Sequence, residues 1–208
     1  MGGASFIGCT IMLPEIIGFI HEELKKMRIV AGTYRSRVIQ SVPGDSTRPT
    51  QAKIKEAIFS RIGPYFDGGD MLDLFAGSGN MGFEALSRGI TSVTFCDCNY
   101  KAVQTIKTNA ATLKASAQCH IFKMDYEQLL QRLIKEKRTF DLIYLDPPYR
   151  KQRIHEILTL IDCNGLLKES GNVVCESLKE DSFSESYGSL YQVKSVDYGI
   201  TKITYYKR

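Results

Sequence analysis

Beyond residue 70, short apolar runs alternate with segments whose apolar residues recur every three or four positions. Residues 71–75, 92–96, 118–122, 140–145 and 171–176 read as buried strands. Residues 80–87, 101–113, 126–136 and 153–161 read as the helices between them. Residues 191–196 and 200–206, split by an Asp-Tyr-Gly turn, predict a closing antiparallel hairpin. Ahead of this alternation, residues 28–42 read as a hairpin or two short strands turning near Gly32 and Thr33. A Pro-Gly-Asp-Ser loop follows. Thr50 then suits the N-cap of a helix ending near Ile62, with Ile54, Ile58 and Phe59 on its apolar side. The expected fold class is α/β, a mostly parallel sheet covered on both faces. In such sheets ligands bind at the carboxyl ends of the strands, where strand order reverses.

Charge separates the beginning of the chain from its body. The net +4 is not evenly spread: residues 25–61 carry nine Lys/Arg against Asp45 and Glu56, whereas residues 1–24 hold Glu15, Glu22 and Glu23 and no Lys or Arg. A basic segment beside a neutral body points to a polyanion partner rather than a lipid surface. No run approaches the 18 or so apolar residues of a helical span, so no membrane partner is expected. Six cysteines form no C-x-x-C pair and the chain has three His, which argues against a metal site. Reduced, mostly buried thiols in a cytoplasmic protein are expected.

Residues 1–26 lack a basic n-region and a small-residue cleavage site, so they do not read as a secretory signal. Residues 15–26 fit a short amphipathic helix. They also fit a translated upstream leader: Glu22-Glu23 is encodable by a purine-rich ribosome-binding sequence, three codons before Met27. The division expected is a leader or non-native extension over 1–26, a basic extension over 27–62 that faces the polyanion, and an α/β domain over 63–208.

The end of the first core strand reads Asp73-Leu-Phe-Ala-Gly-Ser-Gly-Asn-Met-Gly82. Its glycines let the backbone pass close to a ligand at the start of the next helix. Asp97, at the end of the next strand and 20 positions after Gly77, suits ribose hydroxyls. These features alone fit a dinucleotide or S-adenosylmethionine equally. Asp73 favours the latter, because a carboxylate there repels a pyrophosphate and attracts an ammonium. Phe75, Ala76, Gly77, Ser78, Gly79, Cys98 and Tyr126 complete the candidate cofactor lining. Asp125 suits either the adenine amine or a helix N-cap.

The fourth core strand ends Asp146-Pro-Pro-Tyr149. Pro147 holds Asp146 extended, and the two prolines stiffen the turn. The Asp146 carboxyl and the Pro147 carbonyl then form two fixed acceptors for an exocyclic amine, with Tyr149 placed to stack on its ring. Such an amine is a poor nucleophile, and positioning is what it needs from an enzyme.

With these motifs the sequence resembles Rossmann-like S-adenosylmethionine-dependent methyltransferases, and more narrowly the bacterial 16S ribosomal RNA guanine-N2 methyltransferases of the RsmD type. The resemblance rests on Arg28-Ile-Val-Ala-Gly-Thr-Tyr-Arg-Ser-Arg37, Thr47-Arg-Pro-Thr50, Lys55-Glu-Ala-Ile-Phe59, Leu72-Asp-Leu-Phe-Ala-Gly-Ser-Gly79, Asp146-Pro-Pro-Tyr149 and Tyr198-Gly-Ile-Thr201. Ser36 and Ala52 stand where the family usually has Gly and Asp, and Asp97 replaces the commoner Glu. The resemblance implies a seven-stranded sheet with one antiparallel strand. It also implies an N-terminal extension that touches RNA or covers the cofactor, and 16S rRNA as substrate, within a partly assembled small subunit or free. Arg28, Arg35, Arg37, Arg48, Thr50, Lys53 and Lys55 are the RNA-contact candidates, which position a polyanion without reading its sequence. The competing readings are an N6-adenine or glutamine-N5 methyltransferase, an NAD-dependent dehydrogenase and a non-catalytic RNA-binding assembly factor.

Overall fold

The structure, a computed structural model, describes residues 27–43, 52–148 and 153–208. The candidate leader and the positions of Arg48, Thr50 and Tyr149 lie outside the described residues.

Strands β1 (Met27–Arg28) and β2 (Val38–Ile39) pair antiparallel, Met27 opposite Ile39, and helix α1 (Ala52–Ile62) follows. The alternation then runs β3 (Asp70–Asp73), α2 (Asn80–Ser87), β4 (Ser92–Asp97), α3 (Tyr100–Leu113), β5 (Cys119–Lys123), α4 (Tyr126–Lys135), β6 (Phe140–Leu145), α5 (Ile154–Cys163) and β7 (Leu167–Leu178). Strands β8 (Ser186–Tyr187), β9 (Leu190–Tyr198) and β10 (Thr201–Lys207) close the chain.

The main sheet has the order β5-β4-β3-β6-β7-β10-β9-β8. Strands β3 to β7 are parallel, and β10 runs antiparallel to both β7 and β9. The expected seven strands are present and β8 makes an eighth, a two-residue edge pairing with β9. Strand order reverses at β3 and β6, so their carboxyl ends flank the switch-point crevice.

Alternation along the strands builds two cores. One face of the sheet buries Met71, Val93, Phe95, Tyr144, Val174 and Ile203 against α2, α3 and the N-terminal segment, which contributes Ile29, Ile39, Ile54, Ile58 and Phe59. The other face buries Leu72, Ile143, Leu145, Val173 and Cys175 against α4 and α5. The extension therefore shares a core with the sheet. No helix among the described residues is long and apolar enough to cross a membrane. Cys96 and Cys175 are buried as expected, but Cys98 and Cys163 are exposed.

Candidate active site

The loop after β3 is fixed from several sides. The Ala76 amide donates to the Cys96 carbonyl at 2.9 Å, and the Gly79 amide closes a turn onto the Ala76 carbonyl at 2.7 Å. Gly79 adopts φ +79° at the N-cap of α2. A Cβ at Gly82 would lie 2.2 Å from the Phe95 ring, so only glycine lets α2 sit this close to β4. Asp97 ties the loop to the end of β4: one carboxylate oxygen accepts from the Gly77 amide at 2.9 Å, the other from the Asn99 amide at 2.8 Å.

Asp73 is 1% exposed and accepts from the Gly82 amide at 3.2 Å. Burial pushes its carboxyl up to about 7, with the Asp97 charge adding to the effect. A cation beside such a carboxyl would favour its charged form. Asp146 follows β6, and Pro147 beside it is buried. Burial, then the charges of Glu176 and Asp73, hold the Asp146 carboxyl well above the usual carboxylate range.

At the end of β5, Asp125 is exposed and accepts from the Glu127 amide at 2.9 Å, which makes it the N-cap of α4. The N-cap is thus one of its two expected roles, and the bond engages Oδ1. The Tyr126 ring packs on Phe75, 5.1 Å between centroids. A cavity of about 210 Å³ between α4 and α5, lined by Tyr126, Arg153 and Ile157 among others, shares only Tyr126 with the predicted cofactor residues. No cluster of His, Cys, Asp and Glu among the described residues is arranged to hold a metal.

The basic candidates separate into two kinds. Arg28, Arg35, Arg37 and Lys53 are exposed. Lys55 is a correction: it is 1% exposed, and its ammonium lies 2.9 Å from the Glu84 carboxylate, donating also to the Arg28 carbonyl and to Asn80 Oδ1. A buried ammonium with three internal partners is not offered to phosphate. Sequence reading placed it by charge alone. The missed signal is its position on α1, four residues before Phe59, on the helix's apolar side.

Glu84 was also missed. It is fully buried, accepts from the Val30 and Ala31 amides at 2.8 and 3.0 Å, and pairs with Arg88 Nε at 2.8 Å. Burial alone would raise its pKa, but Lys55 and the Val30 amide outweigh it, and the group sits below the ordinary range. A lone glutamate in the otherwise apolar helix Asn80–Ser87 was the available clue. Asn109 on α3 is a further link: its side chain accepts from the Gln40 amide and donates to the Gln40 and Ser78 carbonyls. Ser36 takes φ +66°, a left-handed conformation that glycine adopts without a Cβ penalty.

The sequence matches the family described as Conserved hypothetical protein 95 over residues 27–207. The chain belongs to this family. It is 44% identical over 182 residues to the Bacillus subtilis (strain 168) protein named "Putative rRNA methyltransferase YlbH", covering 88% of this chain and 99% of that protein. It is 33% identical to Ribosomal RNA small subunit methyltransferase D of Haemophilus influenzae, over 74% of this chain and 80% of that protein. Among solved structures, "Putative methyltransferase yhhF from Escherichia coli" superposes with a TM-score of 0.75 at 28% identity, covering 88% of this chain and 98% of that one. These relatives support the RsmD-type resemblance drawn from the motifs.

Proposed function

We propose that this protein transfers a methyl group from S-adenosylmethionine to the exocyclic N2 amine of a guanine in 16S ribosomal RNA. The observation that carries this reading is the pairing of two strand ends at the switch point. The glycine loop with Asp73 leaves β3, and Asp146-Pro147 leaves the adjacent β6. A cofactor seated on the loop would present its methyl to an amine held by Asp146.

The cofactor brings a sulfonium and an ammonium into a crevice that holds several carboxyls. Asp73 would hold the ammonium of the cofactor, the Gly77–Gly79 turn its chain and Asp97 its ribose hydroxyls. Phe75 and Tyr126 flank the adenine side. The target amine donates its two N–H bonds to Asp146 and to the Pro147 carbonyl, which turns the nitrogen lone pair toward the methyl. Tyr149 stacks on the flipped base. Arg28, Arg35, Arg37 and Lys53, joined by Arg48 and Thr50, hold phosphates of the RNA. This work would take place in the cytoplasm, on the rRNA alone or in a partly assembled subunit.

The relatives' names support rRNA as the substrate class, and the Asp-Pro-Pro-Tyr chemistry supports an amine as the acceptor. The test is single-turnover transfer of labelled methyl to 16S rRNA, with the modified nucleotide identified by mass mapping. N2-methylguanine is the expected product. Asp146→Ala should slow transfer by roughly 10²–10³, the usual cost of losing a preorganised hydrogen-bonding partner, and Asp146→Asn should retain more activity than Ala. A methylated adenine or glutamine, or a wild-type rate in Asp146→Ala, would refute the assignment.

A further inference from the structure

The glycine turn after β3 is gripped from one side and open on another. Gly77 and Gly79 take φ +53° and +79°, and a Cβ at Gly77 would meet nothing within 4 Å. Glycine in the left-handed region reaches many other backbone states, so a turn built on two of them needs outside contacts to keep one shape. Asp97 holds the Gly77 amide, and the Ala76 carbonyl holds the Gly79 amide. The carbonyl of that last peptide unit belongs to Ser78, and among the described residues its donor is the Asn109 carboxamide on α3, at 3.0 Å. Both ends of the Ser78–Gly79 peptide unit are thus fixed, the nitrogen from within the turn and the oxygen from a helix behind it.

Asn109 is 1% exposed and lies on the buried side of α3, between Ile106 and Leu113. A carboxamide in that position is costly unless its polar atoms are bonded. Its partners decide how it is turned. The Gln40 amide only donates, so it faces Oδ1, at 2.8 Å; the Gln40 and Ser78 carbonyls only accept, so both face Nδ2, at 3.0 Å. The reversed carboxamide satisfies none of the three. An aspartate here would keep one bond, and an apolar side chain would keep none. The two bonds to Gln40 suffice to dock the extension on α3. The third bond, to Ser78, serves the turn.

We propose that Asn109 is a positioning residue for the cofactor: its buried carboxamide fixes the Ser78 carbonyl, and with it the glycine turn, in the shape that receives S-adenosylmethionine. The inference rests on the reading of this turn as the seat of the cofactor. A turn held ready needs no ordering when the ligand arrives. Without the carboxamide the Ser78–Gly79 unit is free to rotate. Only a fraction of molecules then presents the receptive turn, and the apparent affinity falls by that fraction. Once the cofactor is seated the turn is ordered again, so the loss falls on binding and not on the methyl-transfer step. The coupling is reciprocal: bound cofactor strengthens the Asn109 clamp by the factor that the clamp strengthens binding.

Calorimetric titration with S-adenosylmethionine tests this. Asn109→Ala should weaken binding about tenfold, what one hydrogen bond commonly contributes. Ile106→Val trims the same buried side of α3 and removes no hydrogen bond, so it should bind the cofactor like wild type. Wild-type affinity in folded Asn109→Ala, or an equal loss in Ile106→Val, overturns the proposal. Should Asn109→Ala not fold, amide exchange in the wild-type protein decides. Gln40 is exposed, so its amide exchanges when its bond to Asn109 opens locally. Saturating cofactor should slow that exchange about tenfold, by the same reciprocity. The Ser189 amide, also exposed and held by a side chain, Asp162 Oδ1 at 3.0 Å, serves as the control and should not respond. A Gln40 amide slowed no more than that of Ser189 overturns the proposal. Wild-type protein that does not bind S-adenosylmethionine would remove the cofactor reading itself, whereas equal binding by wild type and Asn109→Ala removes only the role of Asn109.

Discussion

Asp73 makes the acidity of the site measurable. Its carboxyl is buried and raised from 3.8 to about 7. A group whose folded pKa lies above its unfolded one stabilises the fold fully below the unfolded value and loses that contribution as pH rises to the folded value. The window here is about pH 4 to 7. Across it the unfolded chain ionises Asp73 while the fold keeps the proton, at about 1.4 kcal/mol per pH unit. The full loss is roughly 4 kcal/mol, a large share of the 5–15 kcal/mol that holds a typical domain together. Asp73→Asn removes the titration and keeps the shape. The variant should match wild type near pH 4 and exceed its unfolding free energy by up to about 4 kcal/mol at pH 8. Urea unfolding of both proteins at several pH values reads the difference directly, since other titrating groups cancel. The same substitution should weaken S-adenosylmethionine binding, because a neutral amide does not pair with the ammonium, so the variant gains stability where it loses function. Parallel pH profiles for the two proteins would refute the perturbed carboxyl. A steeper stability gap with unchanged cofactor affinity would keep the pKa argument and remove Asp73 from the cofactor site.

Replacing Arg35 and Arg37 with Ala should weaken RNA binding and flatten its log–log salt dependence by up to about two, near one per lost phosphate contact, while cofactor affinity stays unchanged. An unchanged slope in filter-binding titrations would show that both are merely solvated. Lys55→Ala should cost about 3 kcal/mol or more in chemical denaturation, because it leaves the buried Glu84 carboxylate to Arg88 and two amides. Lys53→Ala, two positions away and exposed, should leave stability unchanged within about 0.5 kcal/mol.

Much of this architecture was legible because the chain obeys period rules where its core is deepest. Helix α2 and strand β6 have the boundaries the pattern predicts, since the first is apolar nearly all round and the second is a short buried run closed by proline. Strand β7 was read as six residues and spans twelve, because Leu167 pairs with Phe140 ahead of a register shift that no alternation records. Strand β8 left no pattern, as two residues carry no period. The ends of β3 and β4 disclosed Asp73 and Asp97 by residue type and spacing. Glu84, Asn109 and Lys55 stayed hidden in their roles because a polar residue in an apolar stretch shows only that it needs a partner. Their partners include residues 25 to 69 positions away: Asn80 for Lys55, Val30 for Glu84 and Gln40 for Asn109.

Those hidden residues explain why a basic extension belongs on this fold. Charge alone would let it be a tethered RNA-binding arm, yet its backbone and side chains are bolted to the parts that shape the cofactor loop. Lys55 on α1 donates to Asn80 at the start of α2, one residue after Gly79. Asn109 joins Gln40 to the Ser78 carbonyl. Met27 Sδ accepts from the Ser78 hydroxyl at 3.7 Å. Three separate points of the extension thus converge on Ser78 and Asn80, flanking the glycine turn. Phosphate contacts at Arg35 or Arg37 would pull on a segment that hangs from Glu84 and Ser87 through the Val30, Ala31, Thr33 and Tyr34 amides. Rigid packing transmits such a load rather than absorbing it. On the proposed function, an extension fixed in this way would set the distance between the grip on the RNA and the methyl donor. On that same reading, a stacked, flipped base would then reach Asp146 at one depth, and the placement that a poor amine nucleophile needs would come from the scaffold.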